Sequence, residues 1–138
     1  MGDEGATRRK TVMVVDDDDS VRAMTRHALE MFGYVVVEAA GGEEAVEGAL
    51  AVAPDLILLD LSMPRMDGFA TLYRLRRLYG LSEVPVIAIS AHTAREVRDD
   101  ALAAGCREFI AKPIRLEHLR SAVERHLPHE AAGEGGAG

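Results

Sequence analysis

Leu56, Ile57, Leu58 and Leu59 form an unbroken apolar run that stops at a single carboxylate, Asp60. A run with no polar alternation suits a strand buried on both faces, the situation in a parallel sheet covered by helices. Pro54 precedes the run, and the turn signals Met63-Pro64 and Asp67-Gly68 follow it. In open parallel sheets, ligands bind outside the carboxyl ends of the strands, where Asp60 would stand. An acid delivered to that edge by a rigid strand is a candidate working group.

The same grammar repeats along the chain. Thr11-Val12-Met13-Val14-Val15 reads as a short buried strand running into Asp16-Asp17-Asp18-Asp19. Asp19 or Ser20 is placed to cap a helix whose inward face carries Val21, Met24, Ala28, Leu29 and Phe32, with Gly33 as its stop. Tyr34 to Glu38 is a second strand. Ala45, Val46, Ala49 and Leu50 then space a short helix ending at Pro54, and the Asp60 strand is third. Phe69, Leu72, Leu75 and Leu78 give a third helix stopped by Gly80. Val86-Ile87-Ala88-Ile89 makes a fourth strand ending at Ser90, followed by a polar helix from about Thr93 to Ala104. Arg107 to Ala111 is the fifth strand, stopped by Lys112-Pro113, and Leu116, Leu119, Val123 and Leu127 space the last helix. Strand and helix thus alternate five times, which implies an α/β fold with one five-stranded parallel sheet, right-handed crossovers and helices on both faces, a doubly wound arrangement.

The organised domain spans residues 11 to 128. Residues 1 to 10 read as a flexible lead, and the Gly-rich 129 to 138 as a flexible tail. A chain of 138 residues fits one domain, and its net charge of −7 argues against nucleic acid as a direct partner. Cys106 is alone, so no intrachain disulfide forms; with no apolar run of membrane length and no signal-peptide core, the expected location is cytoplasmic.

Parallel strands bring Asp16-Asp17, Asp60, Ser90 and Lys112 to the same sheet edge. Carboxylates held that close repel one another unless a cation neutralises them or some protonate. Magnesium suits an all-oxygen site that must also accept phosphate oxygens. A carboxylate there can attack phosphorus to give an acyl phosphate, with metal and lysine stabilising the phosphoryl oxygens and Ser90 bonding a further one. Taken singly, an Asp run is often a solvated loop with a helix cap, and Lys-Pro is often only a turn; their joint placement is what carries chemistry.

At these residues the chain resembles the receiver domain of two-component response regulators, and is similar to the stand-alone chemotaxis type. The matching stretches are VMVVDDDDSVR, PDLILLDLSMPRMDG, VIAISA and FIAKP, within residues 10 to 128. The resemblance implies a flavodoxin-like receiver fold, with Asp60 as the phosphoacceptor and with Asp16, Asp17, Asp60 and the Ser62 backbone carbonyl holding Mg2+. It implies that Lys112 pairs with the phosphoryl group, with a cis bond to Pro113. Ser90 and Phe109 would be the switch pair, and Ser62 and His92 border the site where acyl-phosphate lifetime is set. Ser90 stands where Thr is frequent, Phe109 where Tyr is frequent and Ile114 where Phe is common.

By this resemblance the protein is a single-domain response regulator rather than a turnover enzyme. It would receive phosphoryl groups from a histidine kinase or histidine phosphotransfer protein, and signal to a downstream protein through its fourth helix, fifth strand and fifth helix. Alternatives are a phosphorylation-independent receiver-like interaction module, and a receiver excised from a larger regulator or hybrid kinase. A magnesium-dependent aspartyl phosphohydrolase is disfavoured, because such enzymes carry a second Asp two residues after the nucleophile and Ser62 stands there.

Overall fold

The structure, a computed structural model, describes residues 9–62, 68–78, 80–92 and 95–127. The expected turn at Met63, Pro64 and Asp67, the expected helix start at Thr93, and the segments 1–8 and 128–138 lie outside the described residues. Ten elements alternate: β1 (Thr11–Val15), α1 (Asp19–Met31), β2 (Val35–Ala39), α2 (Gly42–Val52), β3 (Leu56–Asp60), α3 (Gly68–Arg76), β4 (Val86–Ser90), α4 (Arg95–Ala103), β5 (Glu108–Ala111) and α5 (Leu116–His126). The strands form one sheet in the order β2-β1-β3-β4-β5, every pair parallel.

The side-chain period of two splits the interior into two cores. Met13, Val15, Ile57, Leu59 and Ala88 face one side with Ala45 and Ala49 of α2, Leu72 and Leu75 of α3, and Ala101 of α4. Val12, Val14, Leu56, Leu58, Ile87 and Ile89 face the other, with Ala28 and Leu29 of α1 and Leu119, Ala122 and Val123 of α5. This two-sided burial explains the unbroken apolar runs of β3 and β4, whose five residues each are all buried.

Several local expectations shift. The cap of α1 is Asp18, not Asp19 or Ser20: its Oδ1 accepts from the Ser20 and Val21 N–H groups at 2.9 and 3.1 Å. Asp18 has the extended backbone (φ −89°, ψ 112°) that aims a side chain back over the first turn, whereas Asp19 and Ser20 already belong to the helix. The second strand begins and ends one residue later than expected, because Tyr34 still bonds back to the Leu29 carbonyl at the end of α1. Met24, Leu50 and Leu116, spaced as if inward, are 61%, 63% and 57% exposed. The third helix ends at Arg76, and Leu78 reaches the core from the turn beyond it.

Candidate functional site

Three strands deliver their polar residues to the same carboxyl-end edge of the sheet. Asp16 follows β1, Asp60 ends β3 and Lys112 follows β5. Asp60 is 2% exposed and Asp16 4%. Carboxylate oxygens of Asp16, Asp17 and Asp60 lie within 4.8 Å of one another. The Lys112 Nζ donates to Asp60 Oδ2 at 3.0 Å and stands 3.2 Å from Asp16 Oδ2. The other Asp60 oxygen, Oδ1, accepts from the Ser62 N–H at 2.8 Å and from the Ser62 hydroxyl at 2.7 Å. Asp60 is therefore held at both oxygens by groups from its own strand end and from the far side of β4.

The electrostatics record the crowding. Burial pushes the Asp16 carboxyl above its usual range and the Asp60 charge adds to this, against the lowering effect of the Asp18 N–H and of Lys112. Burial acts to lower the Lys112 ammonium, but its hydrogen bonds and attraction to Asp60 and Asp16 outweigh that and hold it above the ordinary lysine value. One cation balances three carboxylates only in part. The all-oxygen donor set, with one exposed member in Asp17 and two buried ones, suits a hard divalent cation that keeps some of its waters.

Two loops are fastened behind this cluster. The Arg22 guanidinium donates to the Asp16 backbone carbonyl at 2.8 Å, to Asp19 at 2.7 Å and to Glu38 at 2.9 Å. Glu38, near the end of the second strand, thus pairs with Arg22 and, at 2.7 Å, with Arg26. Gly68 permits the other close approach: a Cβ there would lie 2.5 Å from the Leu61 Cα and 2.8 Å from the Asp60 carbonyl oxygen. Any side chain would push α3 away from the end of β3. Neither role has a sequence signal, since both depend on which strand lies beside β1 and how closely α3 enters.

The remaining candidates sit nearby without joining the cluster. Ser90 is fully buried at the end of β4, and its Oγ accepts from the His92 N–H at 2.9 Å. The His92 residue is exposed. Phe109 is half-buried on β5 and packs against the core under α4. The Lys112-Pro113 bond is cis. Cys106 is buried and burial pushes its thiol up to about 11, so it stays protonated and unreactive at neutral pH.

With the fold and this acid–lysine cluster on view, comparison with known proteins decides the family: the response regulator receiver domain matches residues 12–124. The chain belongs to that family. Among relatives of the receiver, it is similar to the response regulator MprA of Mycolicibacterium vanbaalenii, 35% identical over 130 residues, covering 91% of this chain and 55% of that protein. The chain spans about half the length of the curated relatives it matches. Among solved structures it resembles the Vibrio cholerae chemotaxis protein CheY4, with a TM-score of 0.83 at 32% identity, covering 87% of this chain and all of that one. It also resembles the receiver domain of the Pseudomonas aeruginosa sensor histidine kinase PA1611, at TM-score 0.78 and 28% identity over 86% of this chain and 98% of that one. That structure has a magnesium ion coordinated in its active-site cleft. Receivers of this fold are signalling domains of two-component systems. No described helix of this one is long and apolar enough to cross a membrane.

Proposed function

We propose that this receiver, comprising residues 11–128, takes a phosphoryl group on Asp60 from a histidine kinase or histidine phosphotransfer protein in a magnesium-dependent reaction, and acts in the cytoplasm. The observation that carries the reading is Asp60 itself: a buried carboxylate at the end of a fully buried strand, 3.0 Å from the Lys112 ammonium and grouped with Asp16 and Asp17. Asp16, Asp17, Asp60 and the Ser62 carbonyl would hold Mg2+. When bound, that ion supplies positive charge to the phosphoryl oxygens.

In the transfer, an Asp60 carboxylate oxygen forms a bond to phosphorus while the bond from phosphorus to the donor nitrogen breaks, its electron pair remaining on the leaving imidazole. Lys112 is placed to follow one phosphoryl oxygen, exchanging its ion pair with Asp60 for one with the phosphate. The Ser90 hydroxyl, free to leave the His92 N–H, bonds a second. Drawing Ser90 and Lys112 inward pulls the ends of β4 and β5, and Phe109 and α4 follow. Moving such a two-state element from mostly inactive to mostly active takes about 3–5 kcal/mol, within reach of several charge-assisted hydrogen bonds. Ser62 and His92 border the acyl phosphate and set its lifetime, His92 by steering or blocking water; an unchanged dephosphorylation rate in His92→Ala assigns that side chain no role.

The test is intact mass after incubation with acetyl phosphate, with and without magnesium, for wild type and Asp60→Asn. One phosphoryl adduct that needs the metal and vanishes in the variant is expected. An adduct that persists in Asp60→Asn names another acid. No adduct under conditions that label a chemotaxis receiver favours a module regulated by binding alone.

A further inference from the structure

Arg76, the half-buried last residue of α3, makes no ion pair with a described side chain; its guanidinium is given over to backbone carbonyls. Nη1 donates to Val84 at 2.6 Å, Leu81 at 3.2 Å and Ser82 at 3.3 Å, and Nη2 donates to Gly105 at 3.2 Å. The first three carbonyls belong to the loop from α3 into β4, and Gly105 lies in the turn after α4. One planar cation thus joins two connections far apart in the chain. Its charge is also felt at the buried Cys106 thiol, where it acts against the raising effect of burial.

The helix that ends at this cation is held unevenly. Towards its C-terminal end Ala101 is buried, and the N–H of the buried Cys106 returns to the Ala101 carbonyl at 3.0 Å. The Arg107 N–H then ties the entry to β5 to the Val86 carbonyl at 2.8 Å. Towards the other end Arg95, Glu96 and Arg98 are exposed, and Val97 packs only partly against the core. Carbonyls at a helix C-terminus lack partners within the helix, and a cation there serves both as donor and as complement to the helix dipole. The last turn of α4 has no basic residue of its own, so Arg76 supplies that cation from a neighbouring element.

We propose that Arg76 is a positioning residue that clamps the C-terminal end of α4 to the α3–β4 loop, so that α4 is displaced as a lever about Gly105, its free end being the one reached from Ser90. The inference rests on the reading in which phosphorylation of Asp60 draws Ser90 inward and α4 follows. A pull on the end of β4 then tilts the helix instead of sliding it. The fork geometry of arginine matters here, because a lysine would keep the charge but could not reach both connections at once.

The test follows the amides of α4 by NMR in the full chain, unmodified and with beryllium trifluoride and magnesium mimicking the phosphoryl group. In wild type the change on loading should be largest at Arg95 to Arg98 and fall steadily towards Gly105 and Cys106. In Arg76→Met, which keeps an apolar stem and removes the donors, that gradient should flatten. Hydrogen exchange at Ala104, Gly105 and Cys106 should quicken about tenfold in the unloaded variant, while Asp99 is unchanged. Arg76→Lys should restore both patterns in part. A residue that only stabilised the fold would lower the melting temperature and leave the gradient and the local exchange as they are; that result overturns the proposal. So does a wild-type change as large at Gly105 as at Arg95, which decides the matter even where Arg76→Met fails to fold. If exchange quickens as expected in Arg76→Met, but loading alters no α4 amide and acetyl phosphate leaves no adduct, the clamp stands and the phosphorylation reading fails. If the Asp60 adduct forms and both ends of α4 shift alike, the phosphorylation reading stands and the lever fails.

Discussion

β3 and α4 lie at opposite extremes of anchorage in the same small domain. All five residues of β3 are buried, sandwiched between two cores and paired on both sides with β1 and β4. Of the nine residues of α4, only Ala101 is buried, with Val97 packed partly against the core. The acid proposed to meet a phosphoryl group with fixed geometry stands on the strand buried on both faces. The surface proposed to report on it is carried by one of the cheapest elements to displace. The Arg76 clamp belongs to this second region, and the acidic cluster to the first. One sheet thus joins an over-determined site to an under-determined face.

The largest effect that tests this contrast is core truncation. Leu58→Ala should cost about 3–4 kcal/mol in urea denaturation, because a fully buried side chain leaves a cavity between packed strands and helices. Val97→Ala on α4 should cost about 1 kcal/mol or less. Comparable losses would remove the distinction. Native-state hydrogen exchange sharpens it: α4 amides should open by local fluctuation, while those of β3 exchange only with global unfolding.

A smaller effect concerns the acidic loop. Arg22→Ala frees the Asp16 carbonyl and leaves Glu38 to Arg26, so magnesium affinity should weaken about tenfold, in the manner of groups that orient metal ligands, while the fold persists. NMR titration of the loop amides with magnesium measures this. Unchanged affinity would mean that β1 alone positions the acids.

The smallest effect is expected at Glu108, where β5 is stapled to α5. Burial acts to raise this carboxyl, but hydrogen bonds from Arg125 and His126 outweigh that and hold it below the usual range. Its stabilisation is therefore complete above the ordinary glutamate value and lost as pH falls through the depressed one. Glu108→Gln should lower the melting temperature slightly at neutral pH, with the gap to wild type closing in acid. A gap that widens in acid would contradict the assigned charge state.

The residues legible from sequence and those that were not differ in how local their cause is. Leu56 to Leu59 could be read because burial on both faces leaves no polar period, and Asp16, Asp60, Ser90 and Lys112 because each ends such a run. Met24 and Leu116 misled because helical spacing defines a stripe, not how far neighbours cover it. In the fold both line a shallow groove between α1 and α5 with Met31 and Ile114. Four consecutive aspartates are equivalent as letters, and only backbone dihedrals chose Asp18 as the cap.

The sequence by itself determined alternation, the parallel sheet and the residue types at its edge, since periodicity and turn chemistry act over a few residues. The tertiary structure alone decided the order β2-β1-β3-β4-β5, which sets the Asp16 loop beside Asp60 and brings Lys112 across β4 to both. That order comes from how each crossover helix packs back onto the sheet, a contact between segments far apart in the chain. The pairing of Arg22 with Glu38, the fit of Gly68 against Leu61 and the reach of Arg76 to the Gly105 carbonyl all depend on it.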